Sequence, residues 1–168
     1  MFCKRKNIPL AGAVLGLLLS VAACKPPKLD TYEKNVEIPG NGWDNTFVPF
    51  FDLNIAPEDT GYFYTIHANV RHRDSYSFSN LWMMIRITSP DKKVDSHRVE
   101  LQLADVTGKW AGSGTDDIFE HRVLINNHAI FAKPGSYRFS FQQNMRQNPL
   151  MSVMNVGLRI QKDTLRLR

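Results

Sequence analysis

From Tyr32 onward the apolar residues recur at every second position, and this period restricts the body of the chain to strands. Tyr62, Tyr64, Ile66, Ala68 and Val70 alternate with Thr65, His67, Asn69 and Arg71. Successive side chains of a strand point to opposite faces, so this run has one core face and one solvent face. On that assignment Ile66→Asp is expected to unfold the domain and Asn69→Asp to be nearly silent. Val99, Leu101 and Leu103 alternate with Arg98, Glu100 and Gln102 in the same way, as do Tyr137, Phe139 and Phe141 with Arg138, Ser140 and Gln142. Met154, Val156, Leu158 and Ile160 repeat the pattern. After the first two dozen residues no long stretch has the three- and four-residue apolar spacing of a helix.

Leu81 to Thr88 departs from strict alternation, because Trp82 and Met84 are apolar on the face opposite Leu81, Met83, Ile85 and Ile87. A strand apolar on both faces is expected at the centre of a sheet, with a loop over its second face. Turn chemistry separates the strands at Pro39-Gly40-Asn41-Gly42, Pro57 to Gly61, Ser89 to Lys92, Gly112-Ser113-Gly114, Asn126-Asn127 and Lys133-Pro134-Gly135. Seven or eight short strands so punctuated predict an all-β fold, a single jelly-roll-like β-sandwich, rather than alternating strands and helices. The chain has no internal repeat and no low-complexity segment.

The N-terminus has a different character. Met1 to Lys6 is basic, Leu10 to Leu19 is uncharged and apolar, and Val21-Ala22-Ala23-Cys24 follows. The apolar run is shorter than the roughly 20 residues that span a bilayer, which favours a cleaved signal over a membrane helix. The small residues before Cys24 resemble the bacterial lipobox, in which the cysteine is acylated and becomes the first residue of the mature chain. The alternative is a plain secretory signal with a chance cysteine. Cys3 and Cys24 are the only cysteines, so cleavage leaves one thiol and no internal disulfide, and acylation gives that thiol a use. The expected organisation is a signal peptide at 1–23, lipidated Cys24 and a Pro-rich tether at 24–31, the sandwich at 32–163 and a tail at 164–168. Lys25 follows the cysteine in place of the aspartate of inner-membrane retention, and no acidic run of the surface-export kind follows. The expected location is the outer membrane, on its periplasmic leaflet, with the lipid as the membrane contact.

Charge argues against one class of partner. The 168-residue chain carries a formal +5, but Lys4, Arg5 and Lys6 supply three of the positives. The remainder is nearly neutral and has no long basic run, so nucleic acid is not an expected partner.

The residues assemble no recognisable reaction centre. Of His67, His72, His97, His121 and His128, none lies in an HExxH or beside a cysteine pair. Asp59-Thr60-Gly61 spells the aspartic-protease triplet without the apolar strand that should lead into it, and reads as a turn. The cluster Gly108 to Gly114 lacks the Gly-Lys-Ser/Thr ending of a phosphate loop, and Ser113 lacks the strand-turn-helix setting of a nucleophile elbow. The plainer reading is an irregular crossing in which Trp110 covers one end of the core. No catalytic, cofactor-binding or metal-binding residue is assigned. A polar loop at residues 71–80 offers Arg71, Arg73, Tyr76 and Phe78, the chemistry of a recognition surface, with a merely solvated loop as the alternative. Together with Trp110 these form the candidate interaction surface. Trp43, Trp82 and Trp110 are either core or stacking platforms for a glycan.

The features occur in a familiar order: the lipobox, Trp43 before a Phe-rich strand, Ser79-Asn80-Leu81-Trp82, and Leu103-Ala104-Asp105-Val106-Thr107-Gly108-Lys109-Trp110 with Gly112 and Gly114. Pro134-Gly135-Ser136-Tyr137-Arg138-Phe139, Gln143-Asn144-Met145-Arg146 and Val156-Gly157-Leu158 complete the series. Across essentially the whole chain this resembles the GldH gliding-motility lipoproteins of Bacteroidetes. The resemblance implies a non-enzymatic outer-membrane lipoprotein serving machinery that moves surface adhesins and is linked to type IX secretion, acting as an accessory or scaffold beside envelope protein partners. The rival is a carbohydrate-binding outer-membrane lipoprotein, which exposed coplanar aromatics in a groove would favour.

Overall fold

The computed structural model describes residues 30–167. The signal peptide, Cys24 and most of the tether lie outside them. The strands, in chain order, are β1 Thr31–Glu37, β2 Gly42–Trp43, β3 Phe50–Ile55, β4 Tyr62–Arg73, β5 Asn80–Thr88, β6 Val94–Gln102, β7 Ser113–Thr115, β8 Ile118–Ile130, β9 Gly135–Gln143, β10 Leu150–Met151 and β11 Val153–Arg166. Two single-turn 3-10 helices, Pro39–Asn41 and Pro57–Asp59, are the only helical segments among the described residues.

Two antiparallel sheets face each other, β1-β11-β4-β8-β7 and β3-β9-β5-β6, and β2 pairs with β10 across one end. Without the three short strands β2, β7 and β10, the remaining eight run 1-8-3-6 in one sheet and 2-7-4-5 in the other. That is the jelly-roll order, so the all-β sandwich expected from the two-residue period is the fold observed.

The alternation in β4 is realised as read: Tyr64, Ile66, Ala68 and Val70 are buried, while Arg71 is exposed. β5 lies inside its sheet between β9 and β6. Its second face is partly covered, since Arg98 stacks 4.2 Å from the Trp82 ring centre and the 144–149 loop joins the strand through Asn144 N–H donating to Trp82 O. Aromatic rings fill the space between the sheets, with Phe51 and Phe141 centred 5.1 Å apart and Phe131 4.8 Å from both Tyr64 and Tyr137. Each such side chain contributes roughly 1.5–3 kcal/mol through removal of apolar surface from water.

Four details differ from the sequence reading. Thr31, placed in the tether, already pairs with Gln161, and Thr164 to Arg166, placed in a tail, belong to β11. Asn126-Asn127 is no turn: both lie in β8, where two register shifts against β4 absorb the extra residues and Asn126 Oδ1 accepts the His128 N–H. Ser113-Gly114 forms the edge strand β7, and its turn comes later, at Asp116-Asp117. Gly112 permits this, because a Cβ there would stand 2.3 Å from the Glu120 carbonyl oxygen.

The sandwich has two distinct ends. Asp30, Gly61, Ile130 and Lys162 to Leu167 gather at the end where β1 begins, and Arg73, Ile118 and Val153 lie at the other. These are called here the tether end and the distal end.

Candidate functional site

All five residues of the candidate surface lie toward the distal end, but the structure divides them. Arg71 and Arg73 occupy β4 rather than a loop and share its outward face. Arg71 Nε lies 3.2 Å from Glu120, its register partner on β8, and Arg73 Nη1 donates to Asp117 at 2.6 Å. Their side chains remain 44% and 43% exposed, enough to meet a partner.

Tyr76, Phe78 and Trp110 turn the other way. Tyr76 is only 4% exposed, because a turn closed by its N–H donating to Arg73 O brings the ring back over the core, where its hydroxyl donates to Asn80 O. Phe78 and Trp110 are half-buried against the same cluster. Trp110 covers the core at this end, its Nε1–H donating to Asp74 at 2.7 Å. These three rings are therefore packing groups, and of the five candidate residues only the two arginines present exposed side chains. Apolar rings in a polar segment gain more from burial than from display.

At the centre of that cluster lies a buried imidazole pair. His72 is fully buried and His121 is 4% exposed; their rings stack at 4.9 Å and 13°, and Nε2 meets Nε2 at 2.9 Å. His72 Nδ1 sits 2.7 Å from the Arg73 carbonyl oxygen and must donate to it. Its Nε2 therefore accepts, and His121 Nε2–H donates. That pattern holds with His72 neutral; with both rings protonated, two N–H groups would face each other across the contact. Burial lowers the His72 pKa, opposed by the Arg73 carbonyl and Asp74, while burial and the neighbouring His72 lower that of His121 to about 4. His72 is sealed beneath Trp110 and Tyr76, while His121, almost fully buried, is among the residues lining a groove on the protein surface.

The outward face of the larger sheet carries a polar network that the sequence reading missed. Glu33 of β1 accepts from Asn69 and Arg122, both at 2.8 Å, and from Arg159. Burial raises the Glu33 pKa, but these bonds and the Arg122 charge outweigh it and hold the carboxyl below its usual range. Gly157 leaves the space that Asn35 Oδ1 occupies: a Cβ there would stand 1.8 Å from that oxygen. Beside the network runs a groove of about 300 Å³ that includes Glu33, Asn69 and Arg122, adjoined by a second of about 350 Å³ along β7. Both include Arg71, Ser113 and Glu120, so the arginine pairs rim one continuous polar trough. The polar residues of β4 signalled an outward face; their partners on β1, β8 and β11 required the sheet order.

The remaining sequence candidates are placed plainly. His67 is outward but half-buried among Arg122, Arg159 and Glu33, and its Nδ1 has no partner. Asp59 belongs to the Pro57–Asp59 turn and is paired with Lys162. No group of three potential metal ligands occurs among the described residues. Trp43 is fully buried, Trp82 is stacked by Arg98 and Trp110 is packed as above. Arg138 likewise covers the Phe50 ring, and Lys162 the ring of Tyr62. The indoles thus form no row of free coplanar faces for a sugar.

The sequence model of the GldH lipoprotein family matches residues 30–160. The chain belongs to the GldH lipoprotein family. Two curated relatives, both from Bacteroidetes, agree. The Gliding motility lipoprotein GldH homolog of Christiangramia forsetii is 28% identical over 156 residues, covering 89% of this chain and 92% of the relative. Gliding motility lipoprotein GldH of Flavobacterium johnsoniae is 28% identical over 171 residues, covering 97% and 100%. Among solved structures, the infectious bursal disease virus VP2 subviral particle aligns with 78% of this chain and 30% of its own at 16% identity and a TM-score of 0.35, too distant to bear on fold or function. Membership of the GldH lipoprotein family implies membrane anchoring in the cell envelope. The jelly roll described above is the architecture this GldH-family chain adopts.

Proposed function

We propose that this GldH-family lipoprotein is a non-enzymatic accessory or scaffold component of an envelope complex linked to gliding motility and type IX secretion, and that it docks a protein partner through the trough rimmed by Arg71 and Arg73. One observation carries the reading: two exposed arginine-carboxylate pairs border a continuous polar trough reaching the end of the sandwich opposite Asp30, where the tether enters. An anchor at one end and a recognition surface toward the other suit a scaffold. The absence of catalysis is supported by the burial of His72 under Trp110 and Tyr76. Outer-membrane placement, on the periplasmic leaflet, rests on Lys25 and the missing acidic run.

The Arg71→Ala/Arg73→Ala variant tests the surface. Arginines that anchor interfaces contribute about 2 kcal/mol or more each, whereas exposed ion pairs contribute about 0–1 kcal/mol to folding. The expected result is an unchanged melting temperature with loss of the proteins co-purified with the parent from its native envelope. Normal melting with full partner recovery would place the interface elsewhere. The anchor has its own test: mass spectrometry of envelope-extracted protein is expected to find an N-terminal Cys24 bearing acyl chains, and a free thiol or a different start would refute it.

A further inference from the structure

We infer that the tether end of the sandwich is a second membrane contact, an apolar patch formed by Phe63, Ile130, Leu165 and Leu167 that rests in the bilayer interface beside the lipid anchor. The inference rests on acylation of Cys24 and adds to it an orientation and a protein surface.

Three adjacent strands build the patch. Phe63 on β4 and Ile130 on β8 are register partners. On the other side of β4, Arg166 of β11 pairs with Tyr62, and Leu167 N–H donates to Gly61 O at 2.8 Å. This brings residues 165–167 alongside 61–63. Leu165 is 63% exposed, Leu167 51% and Ile130 40%. Tyr64 and Ile66 point inward from β4, so Phe63 points outward from it. The distal end also exposes Val106 and Met151, but these come from separate segments, and isolated apolar residues on a surface are ordinary.

The covalent path selects the occupant. Asp30 accepts the Lys162 N–H through its backbone oxygen, so the chain leaves the fold beside β11, at the end that carries the patch. Cys24 is six residues earlier, and an extended chain of that length reaches about 20 Å at most. A lipid inserted at Cys24 therefore keeps this end within about 20 Å of the bilayer, close enough for the patch to enter the interface. Of the neighbouring charges, Lys133 and Lys93 are paired with Asp91 and Lys162 with Asp59, while Arg166, between the two leucines, lies over the Tyr62 ring; the contact draws on apolar area, which this cation can supplement at the headgroups. Because the anchor already fixes the protein to the membrane, the patch governs its tilt.

The test uses the lipidated, full mature chain in phosphatidylethanolamine/phosphatidylglycerol vesicles. Leu165→Cys, Ile130→Cys and Val106→Cys are each labelled with an environment-sensitive fluorophore, and spin-labelled lipids serve as quenchers. Melting temperatures establish that each variant is folded, and flotation establishes that the protein is anchored. The expected result is blue-shifted emission and several-fold stronger quenching at 165 and 130 than at 106. Flotation with equal quenching at all three sites overturns the patch while leaving the anchor standing. Failure to float overturns the anchor, and the patch with it. A further variant, Leu165→Glu/Leu167→Glu, is expected to float normally while quenching at 130 falls toward the value at 106; unchanged quenching there would also refute the patch.

Discussion

Ile66→Asp is expected to leave the domain unfolded at room temperature. Ile66 is 5% exposed in the centre of β4, between β11 and β8. Loss of the isoleucine side chain from such a position costs about 2–5 kcal/mol, and burial of an unpaired carboxylate costs several more. Together these consume most or all of the roughly 5–15 kcal/mol that holds a domain folded. Circular dichroism and a thermal melt read the outcome, with Arg71→Ala as the folded control. A cooperative melt within a few degrees of the parent would mean that the two faces of β4 are reversed. The outward counterpart needs revision. Asn69 donates to Glu33 at 2.8 Å and to Asn35 at 3.2 Å, so Asn69→Asp places a second carboxylate against Glu33, relieved in part by Arg122. Its expected cost is about 1 kcal/mol, the usual net worth of one hydrogen bond, rather than nothing.

Acid should weaken the fold before its carboxylates titrate. Above pH 6.5 His121 is neutral in both the folded and the unfolded chain. As pH falls, the unfolded chain takes up a proton near the ordinary value of 6.5, but the folded chain does so only near 4. Stability therefore drops across this window and levels off below it. At 1.36 kcal/mol per pKa unit, His121 alone accounts for about 3 kcal/mol. His72 and His67, whose pKa values are also lowered, act in the same direction. The depressed carboxylates, Glu33, Asp52 and Asp91 among them, have ordinary values of 4.5 and 3.8 and lose their contribution at lower pH. Urea midpoints measured from pH 7.5 to 5 should fall steadily, and His72→Phe/His121→Leu should remove most of that slope. An equal slope in parent and double variant would show that the imidazole pair is not its source.

The residues whose roles were legible are those whose surroundings are set by their own strand. Alternation assigned Tyr64, Ile66, Ala68 and Val70 to the core, and the double-sided run at Trp82 and Met84 marked β5 as interior to its sheet. Trp110 was legible as a cover for the core from the glycine-rich crossing around it. His72 was not, because in the sequence it sits between two arginines and reads as part of a polar loop; only continuation of β4 to Arg73 turns it inward toward His121, 49 residues away. Tyr76 and Phe78 misled for a related reason. A loop has no period, so nothing local states which way an aromatic ring turns.

The sequence alone determined that the chain forms alternating strands stacked as a sandwich, because strand period is a property of consecutive residues. Tertiary structure alone decided which side chains meet. Glu33 and Arg159 pair across 126 positions, and the trough, the buried imidazole pair and the apolar patch each join strands distant in the chain. Such pairings depend on the order of strands within a sheet, which many sequences with the same alternation could satisfy differently, and only the packing of the two sheets selects one.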